Sequence, residues 1–157
     1  MWRAEQGDLE VARENLRHLS DSARIEGRRR HRLLAESLAG HLALAEGDTV
    51  RALDVFRSLK PTAPRRILWW RRAEPLPLDR LRLAELLLAT GEYEEALVAA
   101  SGFDHHAPAT YVAFIPKSLL IRIEAARALG RDDLVARYRA RLENLGRNDL
   151  LEALDAS

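Results

Sequence analysis

Residues 80–108 read RLRLAELLLATGEYEEALVAASGFDHHAP, and their spacing decides the fold. Leucine and alanine recur every three or four residues as far as Ala89, which marks the apolar face of a helix. Gly91 interrupts the run, and a second helical stretch begins at once at Tyr93. Glycine takes the left-handed conformation that ends a helix without a Cβ penalty. The segment therefore predicts two antiparallel helices joined by a tight turn. Ala96 is small enough for the two backbones to approach, Ala100 and Phe103 fill the seam, and Pro108 closes the second helix.

The same plan extends in both directions. Gly7, Gly47, Gly91 and Gly130 recur at nearly even intervals along the chain. Alanine follows the first three by five positions (Ala12, Ala52, Ala96), with apolar residues four further on (Leu16, Phe56, Ala100) and three beyond those (Leu19, Leu59, Phe103). Pro64 repeats the closing role of Pro108. The last unit has Val135 in the alanine place, yet Val135, Tyr138, Leu142 and Leu145 keep a helical seam. The first unit is half present: AEQGDLEVARENLRHL supplies a second helix whose partner would need residues before Met1, leaving Leu9, Leu16 and Leu19 in need of a cover. Leu150, Leu151 and Leu154 of the tail RNDLLEALDAS suit a short capping helix.

This frame resembles the tetratricopeptide repeat. Ala84, Gly91, Tyr93, Ala96, Phe103 and Pro108 match the family's pattern, as do Gly40, Gly47, Ala52, Phe56 and Pro64; the likeness covers about residues 4–145. The resemblance implies an all-α protein, an α-α superhelix of about three and a half helical hairpins with a short C-terminal capping helix. It implies one domain over residues 1–157: a half-repeat at 1–22, repeats at about 23–64, 65–108 and 109–146, and a cap at 147–157. The turn ALGRDD and the stretch FIPKSLLIR also resemble the C-terminal helical-repeat regions of multidomain bacterial regulators, such as those attached to kinase or cyclase domains.

Family repeats run about 34 residues. The repeats here are longer, and the excess falls after each closing proline. Two insertions share a plan of proline, aromatic cluster and proline: PRRILWWRRAEPLP (64–77) and PATYVAFIP (108–116). Pro77 and Pro116 stand at the same distance before their hinge glycines, Gly91 and Gly130, which places them in the first turn of the next helix. For Trp69 and Trp70 three readings stand together. At least one of them packs with Ile67 and Leu68 across the repeat junction, which we favour; they anchor a protein contact; or, with RRRHR (28–32), they form a basic-aromatic rim for nucleic acid or a membrane surface.

Bulk composition narrows the classes. Basic and acidic residues nearly balance, 25 against 24, so the net charge of +1 lacks the footprint of a dedicated nucleic-acid binder. No apolar run approaches the roughly 20 residues of a membrane span, and the absence of cysteine suits a reducing cytoplasm. No phosphate-cradling loop, metalloprotease motif or nucleophile elbow occurs. Asp104, His105 and His106 are metal-ligand types, but three consecutive residues converge poorly on one ion, and a polar turn is the favoured reading. Glu85 and Glu124 occupy the same place in successive first helices without implying a pocket. We expect no enzyme, no cofactor and no metal.

The resemblance also implies that first helices line a concave face. Its ligand-facing positions fall on Leu34, Ser37, His41 and Leu44, then on Leu78, Leu81, Glu85 and Leu88, then on Lys117, Leu120, Glu124 and Arg127. The Lys/Asn/Arg set by which some family members clamp a peptide carboxylate is missing. Leucines beside two glutamates suit an amphipathic helix carrying basic residues. The expected partner-binding residues are thus Leu34, His41, Leu44, Leu81, Glu85, Leu88, Leu120, Glu124 and Arg127, with Trp69 and Trp70. The leading expectation is an interaction module, the C-terminal portion of a larger regulator, binding a protein or peptide. The alternatives are a structural or oligomerisation domain with a self-filled groove, whose cover is upstream sequence or a second copy, and an arginine-rich nucleic-acid surface.

Overall fold

The computed structural model describes residues 8–27, 29–59, 76–104 and 109–156. The chain divides into two compact units, residues 1–62 and 63–157, close to the expected boundary between repeats at Pro64. The described residues are helical and contain no strand. None of their helices is long and apolar enough to cross a membrane.

The first unit holds α1 (Leu9–Glu26), α2 (Arg29–Ala45) and α3 (Thr49–Ser58). Asp8 and Asp48 cap α1 and α3, each side chain accepting from a backbone N–H three residues on, which satisfies a donor that the first helical turn leaves orphaned. α1 packs on α2 and α2 on α3. The second unit holds α4 (Pro77–Ala89), α5 (Tyr93–Ser101), α6 (Ile115–Ala128), α7 (Asp132–Asn144) and α8 (Asn148–Asp155). Here α4 packs on both α5 and α6, α5 on α6, α6 on α7 and α7 on α8. Hairpins packed in chain order are the architecture that the glycine frame predicts. Pro77 and Pro116 lie in the first turns of α4 and α6.

Within the hairpins the hinges are alike. Gly47, Gly91 and Gly130 have φ of 81°, 81° and 66°. Each donates its N–H to a carbonyl three residues back, and the following residue donates to one five residues back, as in Asp48 N to Ala43 O at 2.9 Å, Glu92 N to Leu87 O at 2.8 Å and Arg131 N to Ala126 O at 2.9 Å. That double closure is the Schellman cap. Gly146, with φ of 68°, makes the same cap between α7 and α8. Ala52 and Ala96 are fully buried, while Val135, in the same place, is half-buried. Leu59 and Phe103 are buried, whereas Leu145, in the turn before Gly146, is 49% exposed. In the cap, Leu151 is buried and Leu150 and Leu154 are half-buried.

The second insertion has a visible structural role. Residues Gly102–Asp104 and Ala109–Phe114 form two 3-10 turns. Phe103 lies 5.1 Å from the ring of Tyr111 and 5.9 Å from that of Phe114, centre to centre, at the spacing of favourable aromatic pairs. The insertion therefore plugs the space where α4, α5 and α6 meet. Its counterpart at 64–77 lies outside the described residues except for Leu76 and Pro77, so both tryptophans do too.

Gly40 of α2 lies tight against Phe56 of α3. A Cβ on Gly40 would stand 2.7 Å from the Phe56 ring. Gly40→Ala gains about 1 kcal/mol of helix propensity but overpacks a seam, which costs about 1–3 kcal/mol. Chemical denaturation is expected to show a net loss of about 1 kcal/mol, with Phe56→Leu relieving it so that the double variant is less than additive. A stabilised Gly40→Ala variant would show that the seam is looser than described.

Candidate interaction surfaces

The ligand-facing positions keep one register relative to each hinge glycine, at helical spacing, so they form one stripe on each first helix. On α2, Leu34 and Leu44 are half-buried, while Ser37 and His41 are buried. His41 is 3% exposed and lies edge-on to Phe56, ring centres 5.1 Å apart, so the structure removes it from the partner-facing set. Leu81 of α4, 1% exposed, is corrected in the same way: its side chain is spent on packing. Leu78, Glu85 and Leu88 remain half-buried, and Glu85 accepts from Arg82 at 2.7 Å. On α6, Leu120 is half-buried and Lys117, Glu124 and Arg127 are exposed.

In the second unit α4 packs directly on α6, and each helix carries one of these stripes. Leu78, Glu85 and Leu88 come from one helix and Leu120 and Glu124 from the other. Glu124 forms no ion pair among the described residues. Arg127 is partly spent: its Nη2 donates to Asp155 Oδ1 at 3.1 Å. Arg139 adds two bonds of 2.7 Å to the same carboxylate. Arg139, then Arg127, hold the Asp155 carboxyl down to about 2. This fork ties α8 to both α6 and α7, at an exposed site where ion pairs contribute modestly.

The strongest polar constellation was hidden in the sequence. Arg122 of α6 is 1% exposed, between Ile121 and Ile123. Its guanidinium donates to both carboxylate oxygens of Asp104, at 2.7 and 2.9 Å. Nε donates to the Ser118 carbonyl at 3.3 Å and Nη2 to Ser118 Oγ at 3.1 Å. The same group lies 5.1 Å from the ring centre of Tyr138. Arg141 of α7 forms a second fork on Asp104, at 3.1 and 2.8 Å. One carboxylate thus joins the end of α5 to α6 and α7. Two parallel bonds per guanidinium give the pair its geometric specificity, and the aromatic face compensates further for the water lost by Arg122.

Hydrogen bonding to Arg122, and secondarily to Arg141, holds the Asp104 carboxyl far below the usual carboxylate range. An aspartate with both oxygens engaged in this way is a structural clamp, which is the polar-turn reading made specific. His105 and His106 lie outside the described residues. The clamp was missed because an arginine on a helix usually reads as a solvated charge. The signal was its placement between two isoleucines.

No protein-family model matches this chain, and no curated protein or solved structure matches it either.

Replacing Asp104 with Asn leaves a buried guanidinium without its counter-ion. Breaking a fully buried pair costs about 3–5 kcal/mol. Because Asp104 is 38% exposed, we expect a discounted loss of about 2 kcal/mol at neutral pH. The sign with pH follows from a depressed carboxyl: its contribution is complete above the unfolded-state value of about 3.9 and is lost as pH falls below it. Thermal melts between pH 7 and pH 2 should show wild type losing stability in that acid range and Asp104→Asn losing less. Parallel curves would refute the clamp.

Proposed function

We propose that this chain is a protein–protein interaction module of the tetratricopeptide-repeat type, the C-terminal portion of a larger bacterial regulatory protein acting in the cytoplasm. Supporting the repeat type are three hairpin hinges in one sequence frame and the buried small residues Gly40, Ala52, Ala84 and Ala96. Supporting the interaction role is one observation above the others. The stripes on α4 and α6 leave Leu78, Leu88 and Leu120 only half-buried, and Glu124 of the second stripe is exposed. Half-covered leucines with a nearby charge suit the apolar face of an amphipathic helix bearing a basic residue. Leu34 and Leu44 offer similar side chains on α2.

A second reading has its own support. Ala12 is the one buried side chain among the described residues of α1, and Leu9, Leu16 and Leu19 are half-buried. A second copy covering that stripe would make the chain an oligomerisation domain.

The wild-type chain and a Leu120→Arg, Glu124→Lys variant, immobilised separately, separate the readings against extract of the native host. The interaction reading expects a defined protein retained by wild type and depleted at least about tenfold by the variant, with equal helicity in circular dichroism. Equal retention would overturn it. Light scattering that shows a concentration-dependent dimer would favour the second reading.

A further inference from the structure

The first unit contains an open trough of about 480 Å³ between α1 and α2. Leu16 and Ala23 line it from α1, and Ala35 and Ala39 from α2. Arg24, Arg32 and Glu36 stand on its rim, with Ser20 beside them. On each wall the lining runs for about 10 Å, or two helical turns, from Leu16 to Ala23 and from Arg32 to Ala39. Its volume is in the range of functional clefts.

The repeat register explains why the trough is open. Ser20 holds the place after Gly7 that Asp104 holds after Gly91. Ala35, Glu36 and Ala39 hold the places before Gly47 that Ser118, Leu119 and Arg122 hold before Gly130. In the second unit Ser118, Leu119 and Arg122 are at most 1% exposed. There Arg122 bridges Ser118 and Asp104. The first unit has serine in the place of the carboxylate and alanine in the place of the arginine. It therefore lacks both the long side chain that fills the equivalent cleft and the ion pair that seals it.

The occupant is indicated by what the walls offer. The floor is aliphatic, so it takes aliphatic side chains. None of the described lining residues is aromatic, so the described walls offer no stacking platform of the kind that a single-stranded nucleic acid requires. The trough is concave, unlike a membrane-facing surface. Two arginines face one glutamate. Among the described residues, Arg24 pairs with Asp21, at 3.4 Å. Arg32 forms no ion pair among the described residues, and Arg29 is exposed at the adjoining end of α2. We propose that the trough between α1 and α2 docks an acidic, leucine-bearing segment of a partner protein, its leucines against Leu16, Ala23, Ala35 and Ala39 and its carboxylates toward Arg24 and Arg32. This surface and the α4 and α6 stripes share no residue, so either site can fail while the other stands.

The probe is a short fluorescein-labelled synthetic peptide with leucines at helical spacing and glutamates between them, titrated into the full chain and followed by anisotropy. We expect saturable binding that weakens with added salt, and a loss of at least about tenfold in affinity for the Arg24→Glu, Arg32→Glu variant. Ala39→Trp, which fills the trough while leaving its charge, should give a similar loss. Leu120→Arg should bind as wild type. A lysine-for-glutamate version of the peptide should bind at least about tenfold more weakly. No saturable binding, equal binding by the charge-reversed variant or by the lysine peptide, or loss confined to Leu120→Arg would overturn the proposal. So would a dimer abolished by Ala39→Trp, which would identify a second copy as the occupant.

Discussion

Left-handed backbone at a few fixed positions is the constraint on which the architecture depends. A helix that ends in a Schellman cap reverses its chain within two residues, and the next helix has to return alongside it. Gly47, Gly91 and Gly130 impose that reversal three times at nearly the same φ, and Gly146 imposes it once more for the cap helix. Residues with side chains meet a penalty of about 1–2 kcal/mol in that region. The place and direction of each reversal are thus set locally by backbone chemistry. Hydrophobic burial then determines how tightly each pair closes: a glycine opposite a phenylalanine between α2 and α3, and paired small residues in the next hairpin.

The two units use the same cleft differently. At the same place before the hinge, one has Arg122 and the other Ala39. In the second unit the arginine is buried with its counter-ion, a hydroxyl, a carbonyl and an aromatic face, which satisfies nearly every donor it carries. In the first unit no such group is present, and the space remains open. Repeat proteins commonly diverge in this way, because each unit needs only its neighbours for stability and local positions are released for other uses.

Much of the fold was legible in the sequence because its determinants are local. A glycine in mid-pattern, an alanine shortly after it and a proline opening the next helix each have one plain mechanical reading, found in place at Gly47, Gly91 and Gly130, at Ala52 and Ala96, and at Pro77 and Pro116; Gly7 lies outside the described residues. The hinge at Gly146 escaped the frame because it follows Gly130 far sooner than the repeat interval would bring it. The interaction surface was less legible, since a stripe of equivalent positions need not be equally exposed. His41 shares its register with the exposed Glu124 and Leu81 with the half-buried Leu120, yet both are buried, His41 against Phe56. The clamp was least legible of all: Asp104 and Arg122 are far apart in sequence, and only the folded chain brings them together. Within the second insertion Tyr111 and Phe114 pack against Phe103, a contact that the plan of proline, aromatic cluster and proline did not specify.

The most direct test of the hinge constraint is the stability of Gly130→Ala, because an added Cβ there meets no atom within 4 Å and only the backbone angle is at issue. A glycine inside a helix gains about 1 kcal/mol when replaced by alanine. One held in the left-handed region loses about 1–2 kcal/mol. Urea denaturation is predicted to show that loss, with helical content in circular dichroism unchanged. A variant as stable as the wild type, or more stable, would contradict the hinge and the hairpin built on it.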